Sequence, residues 1–209
     1  MSETNAIGAC NPPEKVKIGT VGPPVPGVEI RLAEDGEVEL RGDCVFPGYR
    51  GQEEKTRETF TDDGWLKTGD IGEFDDDGYL SIVDRKKELI INAAGKNMSP
   101  ATIESTLKAA SPLIGSVVVI GDRRPFNVAL IVLDPDAAGG MGDDEAAAEV
   151  EEAVETANKR LSSVEQIKRH KLLDTEWEPG GDELTPTMKL KRKPIAEKYE
   201  KEIEALYER

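Results

Sequence analysis

The sequence predicts an α+β protein: a β-rich subdomain followed by a small α+β domain with a short hairpin, a three-stranded sheet and flanking helices. Strand-like runs separated by Gly- and Asp-containing turns dominate up to about residue 85. After that point, β-branched strands alternate with amphipathic helices. The chain has 209 residues, 37% of them hydrophobic and 33% charged, which is the balance of a globular protein long enough to bury a core.

The first part of the chain predicts loop followed by paired strands. Residues 1–27 are rich in Gly and Pro, which predicts loop with little helix. The runs VEIRL (28–32) and EVELRG (37–42) alternate apolar and polar residues around a turn, which is typical of a hairpin. Residues 71–85 predict a second strand pair with a turn at 75–78, and a further strand-like run follows at 88–95.

The second part predicts alternating helices and strands. Ser99 and Pro100 mark a helix start, because a serine hydroxyl can cap a helix and proline is favoured at its first position. Apolar periodicity and β-branched content predict the remaining elements, which are strands at 116–121, 127–134 and 167–173 and helices at about 145–161 and from Pro194 onward.

The charged run DRKKE predicts a domain boundary. It lies between two strand-like segments, as expected of an exposed joint. The predicted domains are residues 1–84 and 85–209, with a hinge at about 84–88. A charged hairpin turn inside a single domain is the alternative that the sequence leaves open.

Charge and composition narrow the classes of function. The 27 basic residues against 42 acidic ones give a net charge of −15, which argues against nucleic-acid binding. No run of apolar residues approaches the roughly 18 that a membrane helix needs, and no secretory signal is visible. Cys10, Cys44 and the single His170 offer neither a disulfide framework nor a histidine zinc site. We therefore expect a cytoplasmic setting.

Three segments contain side chains suited to chemistry. Asp70 ends the turn GWLKTGD, where a carboxylate can accept both hydroxyls of a ribose. Arg85 can bind a ribose or a phosphate, and Gly95 can let a ligand approach the backbone. The run 184–201 has six basic residues against two acidic ones and suits a phosphate-bearing ligand or an anionic membrane surface. Taken singly, each segment has a structural explanation as a turn aspartate, a solvated basic edge or a solvated helix surface.

Together, the order and spacing of several segments resemble the adenylate-forming (AMP-binding) superfamily, and long-chain fatty-acid–CoA ligases most closely. The segments are MSETN, GEVELRGDCVFPGY, GWLKTGD, DRKKELIINAAGKNMSP and LTPTMKLKRK. The resemblance covers nearly the whole chain but only the C-terminal portion of such an enzyme. It implies a reaction in two steps: ATP and a fatty acid give an acyl-adenylate and pyrophosphate, and CoA then displaces AMP to give a thioester.

The resemblance also implies what this chain lacks and what its residues do. The family's phosphate loop is absent from these residues. We therefore expect a fragment that is inactive alone and that meets the fatty acid, ATP and CoA through an N-terminal part. The implied roles are Glu3 for Mg²⁺, Thr4 beside the phosphates, Asp70 and Arg85 on the ribose hydroxyls, Lys87 as the hinge, Gly95 facing the pantetheine arm of CoA, and Lys189 in adenylation.

Two other hypotheses stay open at this point. One is a free-standing, non-catalytic module that binds an adenine nucleotide or an anionic membrane. The other is an adenylation-enzyme fragment for short-chain, aryl or amino acids, although LTPTMKLKRK favours the long-chain branch. If the basic run at 184–201 binds an anionic membrane, we expect peripheral contact with the inner face of the membrane.

Overall fold

The computed structural model describes residues 1–93 and 95–208 and divides the chain into two compact units, Met1–Glu88 and Leu89–Arg209. The division falls at the end of the charged run 84–88. Each unit contains both strands and helices, so the predicted α+β class is confirmed.

The first unit is built on a four-stranded antiparallel sheet in the order β1-β2-β3-β4. The strands are β1 (Val28–Leu32), β2 (Glu37–Gly42), β3 (Leu66–Phe74) and β4 (Leu80–Arg85). The register shifts once between β2 and β3 and once between β3 and β4, and such bulges bend and twist a sheet. The hydrophobic core on this sheet contains Val28, Val38, Leu40, Leu66 and Leu80.

Three helical segments complete the first unit. Short 3₁₀ helices lie at Ser2–Thr4 and Lys86–Glu88, and α1 spans Glu53–Thr59. Helix α1 has no counterpart among the elements that the sequence predicts. None of its residues is buried, so it has no apolar stripe from which periodicity could be recognised.

The second unit begins with a hairpin and continues as a sheet with helices, as the sequence predicts. The hairpin pairs β5 (Ile90–Ile91) with β6 (Asn97–Met98), which is shorter than the strand predicted over 88–95. The sheet contains β7 (Ile114–Ile120), β8 (Asn127–Leu133) and β9 (Ile167–Leu173). The helices are α2 (Pro100–Lys108), α3 (Pro135–Ala138), α4 (Asp143–Asn158), α5 (Arg192–Lys198) and α6 (Glu200–Tyr207).

The central strand β8 is buried on both faces because a hydrophobic core covers each side of the sheet. It pairs antiparallel with β7 and parallel with β9. Ile131 points into the core that contains α2 and α4, whereas Leu130 points into the core that contains α5 and α6. Alternate side chains of a strand face opposite sides, so a strand covered on both sides is apolar at nearly every position.

Candidate functional site

Asp70 and Arg85 lie opposite each other on β3 and β4. They are register partners, and they form an ion pair in which the Arg85 Nε lies 2.8 Å from the Asp70 Oδ1. The Asp70 side chain is 27% exposed and that of Arg85 is 56% exposed. Burial raises the pKa of the Asp70 carboxyl, and the Arg85 guanidinium opposes that rise. The structure thus brings together two side chains that the sequence analysis assigned to one ribose.

A buried carboxylate, Glu37, supports this pair and was not recognised from the sequence. Glu37 begins β2 and is 5% exposed. Its Oε1 accepts the Gly69 N–H at 2.9 Å, and its Oε2 accepts from the Lys86 Nζ at 2.7 Å. Gly69 precedes Asp70 and Lys86 follows Arg85, so one carboxylate contacts a chain neighbour of each member of the pair. The alternation of polar and apolar residues in EVEL did not indicate that Glu37 is buried, because a charged residue in such a run ordinarily faces solvent.

Glu3 and Thr4 lie together in the first 3₁₀ helix, and both are held by hydrogen bonds. The Tyr49 hydroxyl donates to the Glu3 Oε1 at 2.9 Å, and the Phe46 N–H donates to the Glu3 carbonyl at 2.8 Å. The backbone N–H of Glu3, followed by the Tyr49 hydroxyl, lowers the pKa of the Glu3 carboxyl. Thr4 is 2% exposed, and its hydroxyl donates to the Met1 carbonyl at 3.3 Å. A phosphate contact by Thr4 therefore stays a prediction.

The Glu3 carboxylate has a chemistry that fits Mg²⁺. This ion is commonly held by one or two protein carboxylates, with substrate phosphates and water completing its octahedral shell. Within the described residues, no group of three acidic, histidine or cysteine side chains is placed to hold a metal. Glu3 can accordingly contribute one ligand to a phosphate-bound ion, and the chain provides no all-protein cage in its described part.

Lys87 and Gly95 flank the beginning of the second unit. Lys87 is exposed in the 3₁₀ helix Lys86–Glu88, which ends where the two units divide. Gly95 has a φ of +78° between β5 and β6, and its N–H donates to the Asn92 carbonyl at 2.9 Å. A Cβ at Gly95 would have no atom within 4 Å, so the backbone conformation rather than crowding requires glycine there.

Lys189 lies at the end of a turn that two hydrogen bonds to Thr185 hold together. The Thr185 N–H donates to the Lys189 carbonyl at 2.8 Å, and the Lys189 N–H donates to the Thr185 Oγ1 at 3.0 Å. Leu184 and Leu190 form an antiparallel bridge at the base of the turn. The Lys189 side chain is exposed, and no hydrogen bond or ion pair of its amine is found across residues 1–93 and 95–208. The amine is thus available to a ligand.

The other cations of the basic run are largely engaged within the second unit. The Lys191 Nζ donates to the Gly181 carbonyl at 2.7 Å, and Lys198 pairs with Glu183 at 2.6 Å. Arg192 pairs with Glu104 at 2.6 Å. These contacts give no support to the expected membrane contact, because they leave less charge for a lipid surface. Nowhere in the described chain is a helix both long and apolar enough to cross a bilayer.

The electrostatics of the Asp70–Arg85 pair give a first testable prediction. We expect Arg85→Met to raise the pKa of Asp70 further, because burial remains and the opposing cation is lost. A carboxyl with a raised pKa binds more protons in the folded unit than in the unfolded chain. Its contribution to stability therefore falls as pH rises from the unfolded value towards the folded one. In the variant that fall extends to higher pH.

A carboxyl-carbon NMR titration of Asp70 measures this effect directly. Arg41→Met is the matched control, because Arg41 pairs with Glu29 at 2.8 Å on the same sheet. An Asp70 midpoint that is the same in Arg85→Met and in the parent chain contradicts the prediction.

Comparison with known proteins identifies the family. Residues 87–209, more than half of the chain, match the family model of the AMP-binding enzyme C-terminal domain. The chain belongs to the AMP-binding enzyme family. A Mycobacterium tuberculosis protein described as a fatty-acid–CoA ligase is 50% identical over 221 residues, which cover 99% of this chain and 39% of the relative. A human long-chain-fatty-acid–CoA ligase is 33% identical and matches 100% of this chain and 34% of its own length.

Solved structures of AMP-binding enzymes contain a region with the same fold as this chain. MatB from Rhodopseudomonas palustris with bound ATP has a TM-score of 0.70 and 28% identity, covering 95% of this chain and 39% of that one. The adenylation domain of a carboxylate reductase from Mycobacterium chelonae has a TM-score of 0.75 and 23% identity, covering 90% of this chain and 32% of that one. This chain thus spans about two fifths or less of the length of the proteins that it matches.

Proposed function

We propose that this chain is the part of a long-chain fatty-acid–CoA ligase that contributes the ribose pair, the hinge and the adenylation lysine to an active site completed by an N-terminal part. The full reaction joins a fatty acid to AMP with release of pyrophosphate and then transfers the acyl group to CoA. The pairing of Asp70 with Arg85, in a chain whose relatives are described as fatty-acid–CoA ligases, is the observation that carries this proposal.

Asp70 and Arg85 are proposed to hold the ribose of the nucleotide. A carboxylate has enough lone pairs to accept both vicinal hydroxyls of a ribose. The ion pair with Arg85 holds the Asp70 carboxylate beside the guanidinium before the nucleotide arrives. Preorganisation of this kind reduces the entropy lost on binding.

Lys189 is proposed to act in adenylation. The step brings a carboxylate to a triphosphate, so two anions must meet. An ammonium about 4 Å from an anion contributes roughly 4 kcal/mol at an effective dielectric of 20, and a single group can contact both reactants. The absence of a protein partner for the Lys189 amine in the described chain supports this role.

The remaining residues are proposed to serve the phosphates and CoA. Glu3 would contribute a carboxylate to Mg²⁺, and Thr4 would stand beside the phosphates. Lys87 would be the hinge between the proposed domains 1–84 and 85–209, and the loop at Gly95 would face the pantetheine arm. We propose a cytoplasmic setting, supported by the two free cysteines.

The chain by itself is expected to be inactive, and a chimera tests this. In the chimera, this chain replaces the matching stretch of the Mycobacterium tuberculosis relative. We expect the chimera to release pyrophosphate with a long-chain fatty acid and ATP and to form the CoA thioester, because it unites the nucleotide-binding residues of both parts. The separate chain should do neither.

The control for the chimera is its Asp70→Asn variant, which should bind AMP more weakly because the amide is a poorer acceptor for the ribose hydroxyls. Calorimetry with ATP on the separate chain provides the competing outcome. Micromolar ATP binding without any need for the N-terminal part would favour a nucleotide-binding module. A folded chimera that forms neither acyl-adenylate nor thioester would contradict the proposed function.

A further inference from the structure

The buried Glu37 is itself firmly positioned at the start of β2. Its carbonyl accepts the Ala33 N–H at 2.9 Å, and its N–H donates to the Asp35 Oδ1 at 3.1 Å. The Gly36 carbonyl accepts the Gly72 N–H at 3.0 Å, which ties the turn to β3. The carboxylate of Glu37 therefore projects from a rigid turn and can act as an anchor for other groups.

One oxygen of Glu37 compensates for a break in the sheet. The register between β2 and β3 shifts between Glu37 and Glu39, and Gly69 has a φ of +73° at that point of β3. A backbone N–H that leaves a strand ladder needs another acceptor, and Glu37 accepts the Gly69 N–H. This bond fixes the backbone immediately before Asp70.

The other oxygen of Glu37 holds the segment that leads to the hinge. The Lys86 amine lies 2.7 Å from the Glu37 Oε2 and 2.5 Å from the Asp35 Oδ2. Hydrogen bonds that Lys86 donates to Asp35 and then to Glu37 raise the pKa of Lys86, so the amine stays charged at neutral pH. No side-chain bond or ion pair of the next residue, Lys87, is found in the described part of the chain. In the described chain, Lys86 is therefore held by side chains of the turn that contains Asp35 and Glu37, and no such contact is found for Lys87.

We propose that Glu37 is a positioning residue that fixes both the Gly69–Asp70 backbone and Lys86 to the first unit, so that hinge rotation begins after Lys86. This inference rests on the proposed function only for the existence of a hinge at Lys87 about which the two proposed domains rotate. The anchoring concerns this chain alone and can be measured without a nucleotide, a fatty acid or CoA.

Limited trypsin digestion of the chain tests the anchor, because Lys86 and Lys87 are themselves cleavage sites. Glu37→Gln keeps an oxygen for the Gly69 N–H and removes one of the two charges that bind Lys86, leaving Asp35. We expect cleavage after Lys86 and Lys87 to accelerate roughly tenfold, since a charge-assisted bond no longer restrains the segment. Cleavage after Arg123, which lies in the second unit, is the internal reference and should not change.

Three matched variants separate anchoring from general destabilisation. Glu29→Gln removes an exposed carboxylate that pairs with Arg41 on the same sheet, and it should leave every cleavage rate unchanged. Lys86→Arg keeps the cation and should stay slow. Lys86→Met should accelerate cleavage after Lys87 at least as much as Glu37→Gln does, because it loses the contact with Asp35 as well, and the double variant should gain nothing beyond Lys86→Met.

Two results of the digestion would contradict anchoring by Glu37. Unchanged cleavage after Lys86 and Lys87 in Glu37→Gln would overturn it. Equal acceleration at Lys67 inside β3 would also overturn it, because that result indicates a loosened sheet rather than a released hinge segment. Inactivity of the chimera, by contrast, would count against the proposed function and leave the cleavage result standing.

Discussion

In the chimera, we expect Lys189→Ala to lower the rate of acyl-adenylate formation by a factor on the order of 10²–10³. The turn at 185–189 holds the backbone of Lys189 through two hydrogen bonds and leaves the amine without a protein partner in the described chain. The fixed turn limits the reorganisation needed to bring the ammonium to the two anions, and alanine provides no charge. Transfer to CoA from a supplied acyl-adenylate should stay within about twofold, because no carboxylate meets a triphosphate in that step.

Pyrophosphate release measures the first step, and thioester formation from synthetic acyl-adenylate measures the second. Lys193→Ala is the matched control: its side chain is 87% exposed and lies 3.9 Å from Glu197 on α5. Similar rates for both variants would contradict the role of Lys189. A loss of both steps together would indicate damage to the second unit rather than loss of a catalytic charge.

The order of strands along the chain was predictable from the sequence, and the family resemblance placed Asp70 and Arg85 on one ribose, but the strand register that pairs them was not predictable. In the hairpin, Phe74 pairs with Leu80 and Gly72 with Ile82. Continued without interruption, this register would place Asp70 opposite Asp84. The shift between Ile71 and Gly72 moves the pairing by one residue and brings Arg85 opposite instead. A bulge depends on how the whole strand fits its neighbours, so alternation within one run could not reveal it.

Buried carboxylates were the other feature that the sequence concealed. Glu37 in a strand and Glu104 in a helix both occupy positions that pattern analysis assigns to solvent. Each is buried because a cation distant in sequence reaches it: Lys86 contacts Glu37, and Arg192 contacts Glu104. By contrast, β8 was predictable, since seven consecutive residues rich in branched apolar side chains need a core on both faces.

The Arg192–Glu104 pair gives the largest stability effect that we predict. We expect Arg192→Met to lower the free energy of unfolding of the second unit by about 3 kcal/mol. Glu104 is 6% exposed, and it receives two bonds from the guanidinium, at 2.6 and 2.7 Å, and one from the Val119 N–H at 2.9 Å. Methionine keeps most of the apolar stem but withdraws the positive charge from a carboxylate that stays out of water.

Denaturation followed by the fluorescence of the buried Trp177, in a Trp65→Phe background, measures this loss in the second unit. Arg124→Met is the control: its ion pair with Glu204 is more exposed, so its loss should stay below about 1 kcal/mol. Equal losses of unfolding free energy in the two variants would contradict the special cost of breaking the buried pair.

The Arg192–Glu104 pair also links the stability of the second unit to the placement of the proposed adenylation lysine, because α5 begins at Arg192, three residues after Lys189. Arg192→Met should therefore slow adenylation in the chimera even where the unit remains folded.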